Sequence, residues 1–387
     1  MRLLQLHAGY RTPAGEDTVV AAEADAFAGA GHEVHQLIEH NPPNSVRALG
    51  ALSTSAHNRA TARAVSDAIA AFRPDVVHVH NTWFALSSSV LTATADAGVP
   101  LVMTLHNYRL GCLGVDLFRG SSICTACVGR SPLRGVFHGC YRGSRALSAV
   151  TAVEMISTRR RGTLDAVDRF VAPSAFMGDR LVDIGIPSDK LVVKPHFTTD
   201  AGRRPGSPSE SDEILFIGRL APGKGLEVLL RAWERRDRRT EPDLRLTIIG
   251  DGPLAPLLRE SAPRDVEFLG WMPHDRVRRR MLGARALVFP SEWYEPFGMV
   301  LIEAMSAGLP IVASNASDAA SITGTPAELV TPVGDENALA SALSLLSDEL
   351  VDRIGADSRR RFQSTYTREQ GVAALESLYR SVIGANR

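Results

Sequence analysis

The chain has 387 residues, 44% of them apolar and 22% charged, with 43 basic residues set against 43 acidic ones. That length exceeds one compact core and suits two domains of under ~200 residues each. Balanced charge removes the global field that would favour nucleic acid. No run of about 18 apolar residues offers a membrane span, and no signal-peptide pattern opens the chain, so a cytoplasmic protein is expected.

In chain order, Met1–Ala8 reads as an apolar strand running into a glycine-containing loop, Gly9–Gly15. A helical pattern follows from Asp17, with Asp17 and Thr18 available as caps and Gly31 as its end. Further strands are expected at Glu33–Ile38, Val76–Asn81, Leu101–Asn107, Arg169–Pro173 and Leu191–His196, with helical stretches near Ser53–Phe72 and Leu86–Ala97. This alternation implies a parallel sheet covered on both faces. Residues 200–212, DAGRRPGSPSESD, have the composition of a linker. Alternation then restarts with strands at Ile214–Leu220, Leu244–Gly250, Val266–Trp271, Ala286–Pro290 and Pro310–Ser314. The expected organisation is a first domain over 1–199, a linker over 200–212, a second domain over 213–366 and a closing helix over 367–387. The fold class is α/β, two Rossmann-like doubly wound domains.

The stretch Val288–Ser314, VFPSEWYEPFGMVLIEAMSAGLPIVAS, concentrates the chemistry. It reads as strand, loop, helix and strand, with seven residues between Glu295 on the loop and Glu303 inside the helix. Phe297, Gly298, Met299 and Val300 lie where a helix presents unpaired N–H groups, a place suited to an anion. Earlier, ILFIGRLAPGKGLEVLLRAW puts Arg219 at a strand end and Lys224 in a Gly-Pro loop before a helix. Two cations fixed there can counter the charge of a departing diphosphate without a metal. EPFGMVLIEAMSAGLP resembles the signature of the family 4 retaining glycosyltransferases of GT-B fold.

The resemblance implies roles for particular residues. Arg219 and Lys224 would grip the donor diphosphate, Glu303 the ribose hydroxyls, and Glu295 the hydroxyls of the donor sugar. IIGDGPL matches the family's next strand and turn, where Gly250 and Gly252 would let backbone approach the nucleotide. FLGWMPHDRV, with Met272, matches the loop whose backbone reads the base. His106, in TLHNYR, corresponds to a histidine that faces the donor sugar; a structural histidine at a strand end is the plainer alternative. TPAGED resembles the family's phosphate loop with Ala14 in place of its first glycine, leaving Gly15 and the following amides as contacts. SNASDAASI lacks the Gly-Gly…Glu element that the family shows after its next strand. No covalent nucleophile stands out, so the resemblance implies retention by front-face attack, with the leaving phosphate taking the acceptor proton. His106, Glu295, Arg219 and Lys224 form the candidate catalytic set.

All four cysteines fall in one stretch, Cys112, Cys124, Cys127 and Cys140. A close CxxC with two flanking partners fits a structural four-sulfur zinc site. Disulfide or redox chemistry, and unligated thiols, are the alternatives. The same region, 109–161, carries nine arginines against Asp116 and Glu154. It is either a solvated basic surface or a recognition surface for an anionic acceptor or an anionic membrane face. The expected activity moves a hexose-type sugar from a nucleoside diphosphate, UDP ahead of GDP, to a hydroxyl of a glycan, lipid-linked glycan or small metabolite, with no nucleic-acid partner. A nucleotide-sugar epimerase of the same fold and a non-catalytic zinc-braced partner subunit are the rival readings.

Overall fold

The computed structural model describes residues 1–10, 15–41, 58–83, 85–236 and 243–385. It divides into two compact units. The first comprises Met1–Leu117, Thr125–His196 and Gly371–Arg387, and the second Phe118–Cys124 and Phe197–Gln370.

The first unit is built on six parallel strands: β1 (Arg2–Gly9), β2 (Glu33–His40), β3 (Val76–Asn81), β4 (Leu101–Thr104), β7 (Arg169–Ala172) and β8 (Leu191–Val193). They lie in the order β2-β1-β3-β4-β7-β8. The two missing numbers, β5 (Phe118–Arg119) and β6 (Ser122–Ile123), are a small antiparallel hairpin in the second unit. β1, β3 and β4 are buried almost throughout because helices cover both faces. Those helices start and stop at local signals. Asn58 accepts from the amides of Ala60 and Thr61 to open Arg59–Phe72, and Ser174 accepts from Met177 to open Ala175–Ile184, which Gly185 closes at φ 109°.

The helix after β1 begins at Gly15, so Asp17 lies in its first turn and is not its cap. There Asp17 Oδ1 accepts from His7 Nε2 at 3.0 Å and from the Tyr10 amide at 3.2 Å. Strand-exit chemistry overrides the local capping signal. The closing helix runs Arg368–Ala385, and from Gly371 onward it belongs to the first unit. There the Tyr379 hydroxyl meets His78 Nδ1 at 2.7 Å, and Glu376 meets His32 at 2.8 Å.

The second unit has six parallel strands: β9 (Glu213–Ile217), β10 (Arg245–Ile249), β11 (Val266–Gly270), β12 (Ala286–Phe289), β13 (Ile311–Ser314) and β14 (Val330–Thr331). Their order, β11-β10-β9-β12-β13-β14, reverses direction between β9 and β12. Its core includes Trp233, fully buried on the helix Leu226–Arg235, whose indole N–H donates to Asp265 at 3.0 Å. The segment with linker composition is fastened to this unit. Arg204 donates to the carbonyls of Met281, Ala284 and Ala307, and Ser209 bonds Asp352 through both its amide and its hydroxyl. The buried Arg285 holds the carbonyls of Ser209 and Ser211. Its small and polar residues leave room for these long donors, which composition alone does not reveal.

Candidate active site

In a doubly wound sheet, ligands meet the carboxyl ends of the strands where the order reverses. In the second unit that place is the pair of exits from β9 and β12, and the residues picked out from the sequence arrive at it. Arg219 and Lys224 follow β9; Glu295 follows β12. Lys224 Nζ donates to Glu295 Oε2 at 2.6 Å, and the same oxygen accepts the indole N–H of Trp293 at 2.6 Å. The lysine ammonium also lies 4.4 Å from the Trp293 ring centroid, a cation–π contact. Arg219 is exposed, and its side chain makes no ion pair with any described residue. Trp293 was legible only as part of the EWYEP string. Its role as a brace on both charged groups is a tertiary fact.

The loops at this edge are stitched by backbone. Gly218 N–H donates to Ile249 O at 3.0 Å, Leu220 to Asp251 O at 3.0 Å, and Glu292 to Gly223 O at 2.8 Å. Such close approach explains the glycines directly. A Cβ on Gly250, at φ +138°, would sit 1.9 Å from Gly218 O, and one on Gly252 would sit 2.3 Å from Leu220 O. The immediate neighbour of each is protein backbone, so loop packing by itself accounts for both. In the hairpin, the Phe118 ring lies against Gly223, 3.3 Å from where a Cβ would stand.

The helix Met299–Ser306 opens at Gly298, whose φ of +85° is the left-handed conformation an L side chain resists. Phe297 is buried and packs edge-on to Tyr366, so its ring serves the core and only its backbone could face a ligand. Glu303 lines a small cavity with Thr198, Thr199, His274, Arg278 and Ser306. Burial pushes its carboxyl up, and the nearby His274 and Arg278 only partly oppose this. Met272 is half-buried after β11, beside Trp271, which is 73% exposed.

In the first unit the carboxyl edge of the sheet is lined by histidines. His106, just after β4, holds its Nε2 at 3.0 Å from His80 Nδ1 and stacks on the rings of His80 and His196. Burial depresses the pKa of His106, His80 and His196 alike, so all three are neutral near pH 7. Beneath them Lys194 is salt-bridged to Glu23, both buried, and His78 bonds Thr104 at 2.8 Å. Burial alone would raise Glu23, but the Lys194 charge, with His78, holds it low. Of this cluster only His106 stands out in the sequence. The signal for the others was the spacing of two in VHVH and KPH, polar side chains on one face of otherwise apolar strands.

Apart from its chain neighbours and its own helix backbone, no described residue comes within 4 Å of where a Cβ on Gly15 would stand, but Glu16 and Asp17 follow it at once. Glu16 Oε1 accepts from Asn107 Nδ2 at 2.7 Å. An anion there would meet two carboxylates, whereas a hydroxyl would find acceptors. Ala14, the departure from the family's phosphate loop, lies outside the described residues.

Among the described residues none of the four cysteines is in a disulfide. Burial raises the Cys112 thiol to about 11. The one grouping there that brings three ligand atoms within 4.8 Å of one another is Glu23, His78 and His80. Cys112, Cys124, Cys127 and Cys140 form no such set, so no chemistry is routed through a zinc ion there. Nor is the Glu23 grouping set up for a cation: the Lys194 ammonium already holds the carboxylate, and both nitrogens of each histidine are hydrogen-bonded. The helix expected over 144–161 is present as Arg145–Arg160, capped by Ser144. Of its terminal arginines, Arg159 is engaged with the carbonyls of Leu110 and Ile184.

Comparison with known proteins agrees with this geometry. Residues 14–196 match the family described as "Glycosyl transferase 4-like domain", and residues 211–349 match "Glycosyl transferases group 1". The chain is 28% identical to the glycogen synthase of Mycobacterium tuberculosis over 320 residues, covering 80% of this chain and 69% of that protein. It is 29% identical to a phosphatidyl-myo-inositol mannosyltransferase of Mycolicibacterium smegmatis over 360 residues, covering 88% and 83%. The solved structure of Anabaena Alr3699/HepE in complex with UDP superposes with a TM-score of 0.70 at 17% identity, covering 98% of this chain and 100% of the other. Two Rossmann-like parallel sheets, a switch-point site of the right composition and two family matches that between them cover most of the sequence lead to one conclusion: the chain belongs to the family 4 glycosyltransferases of GT-B fold.

Proposed function

We propose that this transferase moves a hexose-type sugar from a nucleoside diphosphate to an acceptor hydroxyl with retention, in the cytoplasm, for a bacterial cell-surface glycan or a specialised metabolite. The observation that carries the reading is the Lys224–Glu295–Trp293 contact at the switch point, with Arg219 exposed after the same strand. Without a ligand, cation and carboxylate neutralise each other. An arriving diphosphate supplies a stronger partner for Lys224 and Arg219. Glu295 is then released to accept from sugar hydroxyls, and Trp293 keeps it in place. Glu303, in its cavity, takes the ribose diol, whose hydroxyls donate to the carboxylate and favour the charged form that burial disfavours. Negative charge developing on the leaving phosphate is met by fixed cations, so the residues present can do this chemistry without a catalytic metal.

UDP is favoured over GDP, since a relative of this fold has been solved with UDP. Glu16 and Asp17, next to Gly15, suit acceptor hydroxyls better than phosphate. A thermal-shift screen with UDP, GDP, ADP, dTDP and CMP tests the donor. A shift with UDP alone is expected, and no shift with any of the five overturns the reading in favour of a non-catalytic partner subunit. NMR of the product's anomeric proton tests retention. An epimerase would convert a nucleotide sugar with no acceptor present.

Two finer readings belong here. The helix Leu133–Phe137 exposes Leu133 at 64% and Phe137 at 66%, with Arg145 stacked on the Phe137 ring at 5.1 Å. No described helix is long and apolar enough to cross a membrane; this basic, apolar patch suits peripheral contact with anionic lipid. Sedimentation with anionic vesicles, lost in Leu133→Asp, checks it. Structural zinc, which the spacing of the four cysteines suggests but their placement does not support, is checked by elemental analysis of the purified protein.

A further inference from the structure

One row of polar side chains in the first unit runs across the strands instead of along them. Gln36 Nε2 on β2 donates to Gln5 Oε1 on β1 at 2.7 Å. Gln5 Nε2 lies 2.9 Å from His80 Nε2 on β3, and His80 Nδ1 lies 3.0 Å from His106 Nε2, just past β4. These strands are neighbours in that order, β2-β1-β3-β4. Gln5 and His80 are buried, so no bulk water offers either of them another partner.

The chemistry of each group gives the row a direction. Gln5 Oε1 is taken by Gln36, so the Gln5 amide nitrogen faces His80, and an amide nitrogen only donates. His80 Nε2 must therefore be bare. A neutral imidazole carries one proton, so that of His80 sits on Nδ1 and is donated to His106 Nε2. Having accepted there, His106 must carry its own proton on Nδ1, which has no hydrogen-bond partner among the described residues. The charged and titratable groups around the two rings are His7, His78, Glu23, Glu16, Lys194 and His196. Among the described residues the competing acceptor for His80 Nε2 is Glu23 Oε2, at 3.6 Å, beyond hydrogen-bonding distance; Lys194 holds the other oxygen of that carboxylate.

We propose that Gln5 and His80 are positioning residues that fix His106 in its Nδ1–H tautomer, so that it offers an N–H and not a lone pair at the carboxyl edge of the sheet. The use of that N–H rests on the reading above that His106 faces the donor sugar; the tautomer itself does not. A row of neutral groups transmits this preference without placing a charge in the core.

The test is a two-bond proton–nitrogen correlation spectrum of the full chain labelled with nitrogen-15 histidine, at pH 7.5, with His106 assigned by its loss in His106→Gln. The wild type is expected to show Nδ1 protonated and Nε2 bare. Gln5→Leu should give a tautomer mixture at His106, while His80→Asn, whose amide nitrogen can donate from near the Nδ1 position, should restore the single form. UDP release from UDP-glucose without acceptor should fall about two- to tenfold in Gln5→Leu at nearly unchanged KM, since only the correctly protonated fraction is competent. Should Gln5→Leu not fold, Gln36→Leu loosens the same row from its exposed end. A proton on Nε2 of wild-type His106, or an unchanged tautomer in the folded variants, overturns the proposal. A shifted tautomer with unchanged turnover upholds the row and overturns the sugar-facing reading of His106. Absence of UDP release from the wild type counts against glucose on UDP as the donor alone, and the spectra still decide the row.

Discussion

The two sheets each end in a lysine–glutamate contact, and the contrast between them separates structure from function. In the first unit Lys194 and Glu23 are both buried, among histidines kept neutral by burial. In the second, Lys224 and Glu295 are partly exposed, braced by an indole and flanked by an exposed Arg219 that makes no ion pair with any described residue. A buried pair has no place for a ligand and serves to make a polar core self-consistent. A partly exposed pair at a switch point can be opened by a better anion.

Breaking the buried pair should have the largest effect on stability. Glu23→Ala leaves the Lys194 ammonium buried and uncompensated, with an expected loss of about 3–5 kcal/mol in urea unfolding. A loss under about 1 kcal/mol would show that the core readily admits water and that the contrast is false. Lys224→Ala should do the reverse. The melting temperature should stay within a few degrees, while turnover falls by about 100-fold or more and UDP no longer shifts the transition. Normal turnover in that variant would remove Lys224 from the donor site.

Acid should act on the first unit before the second. His78 has its pKa depressed to about 4 by burial, and His80, His106 and His196 are also depressed. Groups of this kind bind protons in the unfolded chain first, so their stability is present above the unfolded value of 6.5 and is lost as pH falls toward 4. His78 alone accounts for on the order of 3 kcal/mol of that loss. Glu23, also depressed, contributes stability that is present above its unfolded value of 4.5 and is lost as pH falls below it. Stability that stays flat between pH 7.5 and 5 would contradict this, and His78→Gln should shallow the slope. The smallest effect expected is Trp293→Phe, which keeps the ring under Lys224 but removes the N–H from Glu295. Turnover should fall about tenfold with unchanged melting, in line with about 1.5 kcal/mol, the low end for one hydrogen bond to a charged group.

What the sequence determined by itself is what is written locally. Apolar runs such as LLQL and VVHV, capped by Ser, Asn and Gly, specified alternating strands and helices because each burial pattern repeats within a few residues. Arg219, Lys224, Glu295 and Glu303 were legible because strand, loop and helix N-terminus follow one another along the chain. Tertiary structure decided what depends on partners far apart in sequence. Asp17 is drawn from a cap to His7, the segment 200–212 is tied down by Arg204 and Arg285, and Trp293 clamps Lys224 to Glu295 across 71 residues. The polar row Gln36–Gln5–His80–His106 exists only because the sheet sets β2, β1, β3 and β4 side by side. Hydrogen bonds between strands follow the sheet order, and the sheet order is not the chain order.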